Sequence, residues 1–127
     1  MLEACDLLGL SARGEYKLAC VGESHYQDAF ERICGTRTGE GESRVVIAVL
    51  SLEDTNPYDP GAVRVEVDGM LVGYLSRPDA RAYRELLSPM EWPDPLQCKG
   101  VIRGGWERTP RDRGHYGIWL DLPIYDV

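Results

Sequence analysis

No apolar run in this sequence approaches 18 residues, so no segment reads as a membrane-spanning helix. The first residues, Met1-Leu2-Glu3-Ala4-Cys5-Asp6, are acidic and short of apolar side chains, which is not the pattern of a signal peptide, and the expected location is cytoplasmic. Histidine is scarce, with only His25 and His115. The four cysteines, Cys5, Cys20, Cys34 and Cys98, form no C-x-x-C pair. Zinc spacing is therefore missing, and neither a metal nor a cofactor is expected. In a reducing cytosol the four thiols are expected to be free and buried. There is no internal repeat and no low-complexity tract. No nucleophile, base and orienting group stand together in a motif, so the reading is a binding module and not an enzyme.

What the chain does have is an ordinary globular composition. Its 127 residues fit one domain, with 43% apolar and 28% charged residues, and wholesale disorder is excluded. A chain of this size buries roughly two-thirds of its unfolded surface, enough for one core. The formal net charge is −7, which repels polyanions at long range and argues against a broad nucleic-acid coat. That charge is unevenly spread. Residues 1–60 carry 11 acids and 5 bases, whereas residues 61–127 carry 10 acids and 9 bases. Arg77, Arg81 and Arg84 cluster in one window, and Lys99, Arg103, Arg108, Arg111 and Arg113 in another. The two windows together can supply one basic groove, or they are solvated surface with scattered charges.

Along the chain, residues 1–16 read as an N-terminal segment and 17–127 as the domain. Lys17 to Gly22 reads as a short strand, and Gln27 to Cys34 as a helix with Ala29, Phe30 and Ile33 on one side and Gly35 as its stop. Residues 35–43 read as a loop. The β-branched run Arg44 to Leu50 is a strand. Val63, Val65 and Val67 alternate with Arg64, Glu66 and Asp68, and Asp68-Gly69 is a hairpin turn into Met70 to Leu75. Ser76 caps a helix to about Leu87, with Pro78 in its first turn. Pro89, Pro93 and Pro95 enforce an irregular linker. Gln97 to Arg103 and Tyr116 to Leu122 are further strands joined by a Gly- and Arg-rich loop. The sum is a mainly β fold with two short helices, a small OB-like or SH3-like barrel.

The turn Asn56-Pro57-Tyr58-Asp59 is the most informative segment, and it has two readings. In one, Asn56 and Asp59 cap their own turn and Tyr58 plugs the end of the barrel. In the other, Tyr58 offers its ring to a base while Asn56 and Asp59 supply hydrogen bonds. A carboxylate facing nucleic acid makes sense only against a donor, such as a sugar hydroxyl or a base amine.

Three strings, Val21-Gly22-Glu23-Ser24-His25-Tyr26-Gln27, Asn56-Pro57-Tyr58-Asp59-Pro60-Gly61-Ala62-Val63-Arg64-Val65 and Val72-Gly73-Tyr74-Leu75-Ser76-Arg77, resemble the HIRAN domain in order and spacing. Gly100-Val101-Ile102 to Tyr116-Gly117 resembles it more weakly, and the likeness spans about residues 17–122. Eukaryotic members sit at the front of helicase-like transcription factor and related fork-remodelling ATPases, while bacterial and phage members often stand alone. The resemblance implies an OB-like barrel that captures the 3′-hydroxyl end of single-stranded DNA, in DNA repair or fork processing, with a helicase or nuclease as a further partner. Position by position, it implies that Tyr58 stacks on the terminal base, Asp59 accepts from the 3′-hydroxyl and Asn56 orients the turn or the end nucleotide. The family's first motif has a basic residue followed by two aromatics, and here those positions read Ser24, His25 and Tyr26. Tyr74 stands where the helicase-like version has histidine, and Arg77 stands at a lysine position as a phosphate contact. Tyr116 is expected to complete the pocket. The alternative class is a protein-interaction module that binds a peptide or partner protein, which the acidity of the first half favours.

Overall fold

The computed structural model of the chain describes residues 1–126. Eight strands and three short helices make up the fold: α1 (Ala4–Leu8), β1 (Leu18–Ala19), α2 (Gln27–Cys34), β2 (Glu42–Leu52), β3 (Val63–Val67), β4 (Met70–Tyr74), α3 (Arg77–Leu87), β5 (Leu96–Gly104), β6 (Glu107–Thr109), β7 (Asp112–Arg113) and β8 (Tyr116–Leu120). Single 3₁₀ turns cover Glu23–His25 and Ser88–Met90. Six strands form one antiparallel sheet in the order β1-β8-β5-β2-β3-β4, and β6 and β7 form a separate hairpin. The mainly β architecture and the small OB-like barrel expected from the sequence are what the chain adopts.

The ladders follow from side-chain alternation. In β3, Val63, Val65 and Val67 are buried between half-exposed Arg64 and Glu66. In β8, Tyr116, Ile118 and Leu120 are buried in the same way. The long strand β2 pairs with β5 from Glu42↔Gly104 to Leu50↔Leu96 and with β3 from Val49↔Glu66 to Leu52↔Val63. It extends two residues beyond each end of the apolar run, because the ladder continues where neighbours supply partners.

The sheet curls until its outer strands meet. Just beyond β1, Val21 bridges Tyr74 at the end of β4, with Val21 N–H donating to Tyr74 O at 2.8 Å and Tyr74 N–H to Val21 O at 3.0 Å. Gly73 makes this seam possible. A Cβ on Gly73 would stand 2.9 Å from Val21 O and 3.3 Å from Glu23 Cγ, closer than real side chains come. The glycine of the Val72-Gly73-Tyr74-Leu75 string is therefore a requirement of closure.

The core is lined by Leu50, Val63, Val65, Val72, Leu96, Ile102, Ile118 and Leu120, all fully or almost fully buried. Each such side chain contributes about 1.5–3 kcal/mol relative to exposure. α2 inserts Phe30, and α3 inserts Ala80, Tyr83 and Leu87. The N-terminal segment joins the same core: Ala4, Cys5, Leu8 and Leu10 are buried, and Glu3 bridges Gln97. The five residues of α1 are too few to hold a helix alone, and packing holds them. Cys5, Cys20 and Cys98 are buried free thiols, and Cys34 is half-buried. Burial pushes the Cys5 thiol up to about 11. No helix among the described residues is long and apolar enough to cross a membrane.

Candidate nucleic-acid interface

Between β2 and β3 the chain makes a tight turn built by side chains. Asn56 Oδ1 accepts from the N–H groups of Tyr58 at 2.8 Å and Asp59 at 3.1 Å, and Asn56 Nδ2 donates to Glu53 Oε1 at 2.8 Å. Asp59 Oδ1 accepts from Gly61 N–H at 2.9 Å. Short polar side chains that bond the backbone two residues on suit this geometry, and two prolines remove the helical alternative. Both capping roles expected of Asn56 and Asp59 are present. The plug expected of Tyr58 is not. Its ring is 89% exposed, because the Asn56 cap turns residue 58 away from the core. Asn56 is fully engaged by the turn and by Glu53, which leaves it an orienting part.

Arg84 clamps this turn from α3. Its Nε donates to Gly61 O at 2.8 Å, its NH2 to Ala62 O at 2.8 Å and its NH1 to Asp54 Oδ1 at 2.8 Å. With its side chain 15% exposed, Arg84 is spent on the fold. Its helix neighbours Arg77 and Arg81 remain exposed. Arg77 Nε lies 3.7 Å from Asp59 Oδ2, in an ion pair whose arginine is 76% exposed. Such a pair is worth about 0–1 kcal/mol, so Arg77 is easily released to another anion.

Together these parts line a groove of about 470 Å³ between the turn and α3, with Tyr58 and Asp59 on one wall, Arg77, Arg81 and Glu85 along the helix, and Trp92 at its end. One oxygen of Asp59 is held by Gly61, and the other faces the arginine side of the groove. The arrangement offers a ring, a carboxylate acceptor and two cations within one concavity.

A second group is linked to the turn through Glu53. Tyr26 and Tyr74 rings are 6.5 Å apart, and His25 stands edge-on to Tyr26 at 6.3 Å. Ser24 and His25 are exposed in the 3₁₀ turn, not in a strand. The Tyr74 hydroxyl donates to Glu53 Oε1 at 3.0 Å. Burial first, and then the Glu53 carboxylate, push the Tyr74 phenol up to about 12, so it stays a donor at neutral pH. Glu53 also meets Arg64 NH1 at 3.5 Å. Glu53 thus links Tyr74 to Asn56, and a continuous strip runs from His25 through Tyr26, Tyr74, Glu53 and Asn56 to Asp59 and Arg77. Sequence reading missed Glu53 because it looks like one more surface acid; its place opposite Tyr74 depends on the β2–β3–β4 register.

Two expectations are corrected. Tyr116 does not line the pocket. It is 3% exposed, its ring stacks on Phe30 at 5.6 Å, and the Arg37 guanidinium lies 4.7 Å from it. It is a core residue because the inward side of β8 carries it beside α2. The basic loop after Lys99 does not extend the groove either. The groove flanks the Leu52 end of β2, whereas Gly104 pairs with Glu42 at the other end. Ten residue steps, about 33 Å, separate the two ends. Arg108 there lies over Trp106, and Arg113 pairs with Glu107 and Glu31.

No protein-family model matches the chain, and no curated protein or solved structure is detectably similar to it. The likeness to the HIRAN domain therefore rests on the motifs quoted above.

Proposed function

We propose that the protein is a single-stranded DNA-binding module that takes the 3′-hydroxyl end of a strand in the groove between the Asn56–Gly61 turn and α3. The observation that carries this reading is Tyr58, 89% exposed on a turn whose backbone is fixed by two Asn56 hydrogen bonds, beside the Asp59 oxygen that only the exposed Arg77 meets. A ring displayed at this exposure gains little from the fold and much from a flat ligand. Base–aromatic stacking is worth about 1–3 kcal/mol and tolerates any base. Asp59 accepts from a terminal hydroxyl and repels a terminal phosphate. Arg77 meets the next phosphate, and the motif resemblance points to the same roles. Tyr26, Tyr74 and His25 extend the strip for neighbouring nucleotides. A helicase or nuclease would be the partner that such an end-holder serves.

The test is a titration of a labelled strand with a free 3′-hydroxyl against the same strand ending in a 3′-phosphate. Tighter binding of the hydroxyl strand is expected, and equal affinity sinks end capture. Because Arg77 contacts phosphate in both strands, Arg77→Ala weakens both. It lowers the slope of log affinity against log salt by about 0.7, the loss of one phosphate contact.

One observation favours the second class, a protein-interaction module. Val45 and Ile47 stand exposed on one face of β2, 59% and 47% accessible. Absence of binding to either strand at low salt would move the assignment to this face.

A further inference from the structure

The groove is longer than one nucleotide. Arg77 lies at its start and Ser88 and Trp92 at its end, and the intervening turns of α3 span about 16 Å. A stacked strand advances about 3.4 Å per nucleotide, so a chain whose end sits at Tyr58 has several more nucleotides in reach of the far end.

The chemistry changes along that length. Arg77 and Arg81 make the near half cationic. Glu85, one helical turn beyond Arg81, lines the far half and makes no ion pair among the described residues. A phosphate is repelled there, so a neutral group must occupy it. Trp92 supplies a partner for such a group. Its side of the groove is reached through two consecutive left-handed residues, Glu91 at φ 60° and Trp92 at φ 57°, with Trp92 N–H donating to Leu87 O at 3.4 Å. The indole is 46% exposed. Folding has thus placed a large ring against solvent in an uncommon backbone conformation, beside an unpaired acceptor.

We infer that the far end of the groove is a base-reading subsite, in which Trp92 stacks on an internal base and Glu85 accepts from that base's exocyclic amine. Cytosine N4 and adenine N6 carry such donors, whereas thymine presents only an acceptor, O4, at the equivalent place. The subsite therefore selects amine-bearing bases a few nucleotides from the 3′ end. This rests on the single-stranded DNA reading above.

The probe is an oligothymidylate of about 12 nucleotides with a free 3′-hydroxyl, within the length one OB-like barrel covers. It is compared with the same strand carrying internal deoxycytidines, the terminal thymidine kept, and with a thymidine dinucleotide. The cytidine strand should bind the native protein about 5-fold more tightly than the thymidylate, for one neutral-to-charged hydrogen bond. Trp92→Ala should weaken the long strands about 5- to 150-fold, the loss of one stacking ring, while leaving the dinucleotide and the 3′-hydroxyl over 3′-phosphate preference unchanged. Glu85→Ala should erase the cytidine preference and leave the thymidylate bound at least as well as before. Glu85 is exposed, so Glu85→Ala should melt like the native chain, and Trp92→Ala, which removes a partly covered indole, is titrated well below its own transition. Equal binding of cytidine and thymidine strands, or a Trp92→Ala protein that binds long strands as tightly as the native chain, overturns the subsite while end capture stands. Loss of end preference in the native protein instead overturns the reading beneath it.

Discussion

Asp59→Asn is expected to bind 3′-hydroxyl and 3′-phosphate strands with equal affinity. On the proposed end capture one side chain performs two jobs, and the substitution separates them. Its amide oxygen still accepts from Gly61 N–H, so the turn keeps its shape. The lost charge removes both the strong acceptor for a hydroxyl and the repulsion of a terminal phosphate. Tyr58→Ala acts differently. It deletes the exposed ring and no part of the turn, because Tyr58 is held through its backbone N–H. Affinity for both strands should fall about 5- to 150-fold, the loss of 1–3 kcal/mol of stacking, with the melting temperature unchanged. An Asp59→Asn protein that still discriminates the two ends would show that the carboxylate plays no part in recognition.

The second large effect comes from a residue that touches no ligand. Arg84→Ala releases the Gly61 and Ala62 carbonyls and the Asp54 carboxylate together. Losing charge-assisted bonds of this kind costs about 2–3 kcal/mol, which lowers the melting temperature by about 10 °C in a chain of this length. The turn then loses its support on α3, and strand binding should weaken at least 10-fold even well below the transition. The salt dependence separates this from phosphate contact. Arg84→Ala should leave the slope unchanged, whereas Arg77→Ala lowers it. A reduced slope for Arg84→Ala would mean that Arg84 leaves its carbonyls to meet the strand.

Local chemistry made part of this legible in the sequence. Asp68-Gly69 encodes its own turn, and Ser76 caps α3 by accepting from Asp79 N–H at 3.3 Å, so both could be read from a few adjacent residues. The Asn56 and Asp59 caps belong to the same kind. What escaped depends on pairs far apart in the chain. Arg84 reads as a free cation until the fold sets it against Gly61 and Ala62. Tyr116 is as suitable for a surface as for a core, and only its ladder with β5 sets it beside Phe30. Helix α1 has too few residues to show a period, and it exists because the barrel offers it a surface. Trp92 sat inside a proline-rich stretch with no pattern around it, and nothing short of the path of the backbone could bring it to the groove. Charge was misleading in a similar way. Two arginine windows looked like one face, yet the helix α3 and the loop after β5 lie at opposite ends of strand β2.

The seam between Val21 and Tyr74 has a kinetic consequence. The β2–β5 ladder has nine paired positions, but this seam is an isolated bridge of two hydrogen bonds. The amide protons of Val21 and Tyr74 should therefore trade with deuterated solvent sooner than those of β2 or β5, through an opening far smaller than unfolding. Tyr74 also lends its phenol to the strip that leads to the groove. A strand lying along that strip would hold the seam shut, so slowed exchange at these two amides would report occupancy from the inside of the barrel wall.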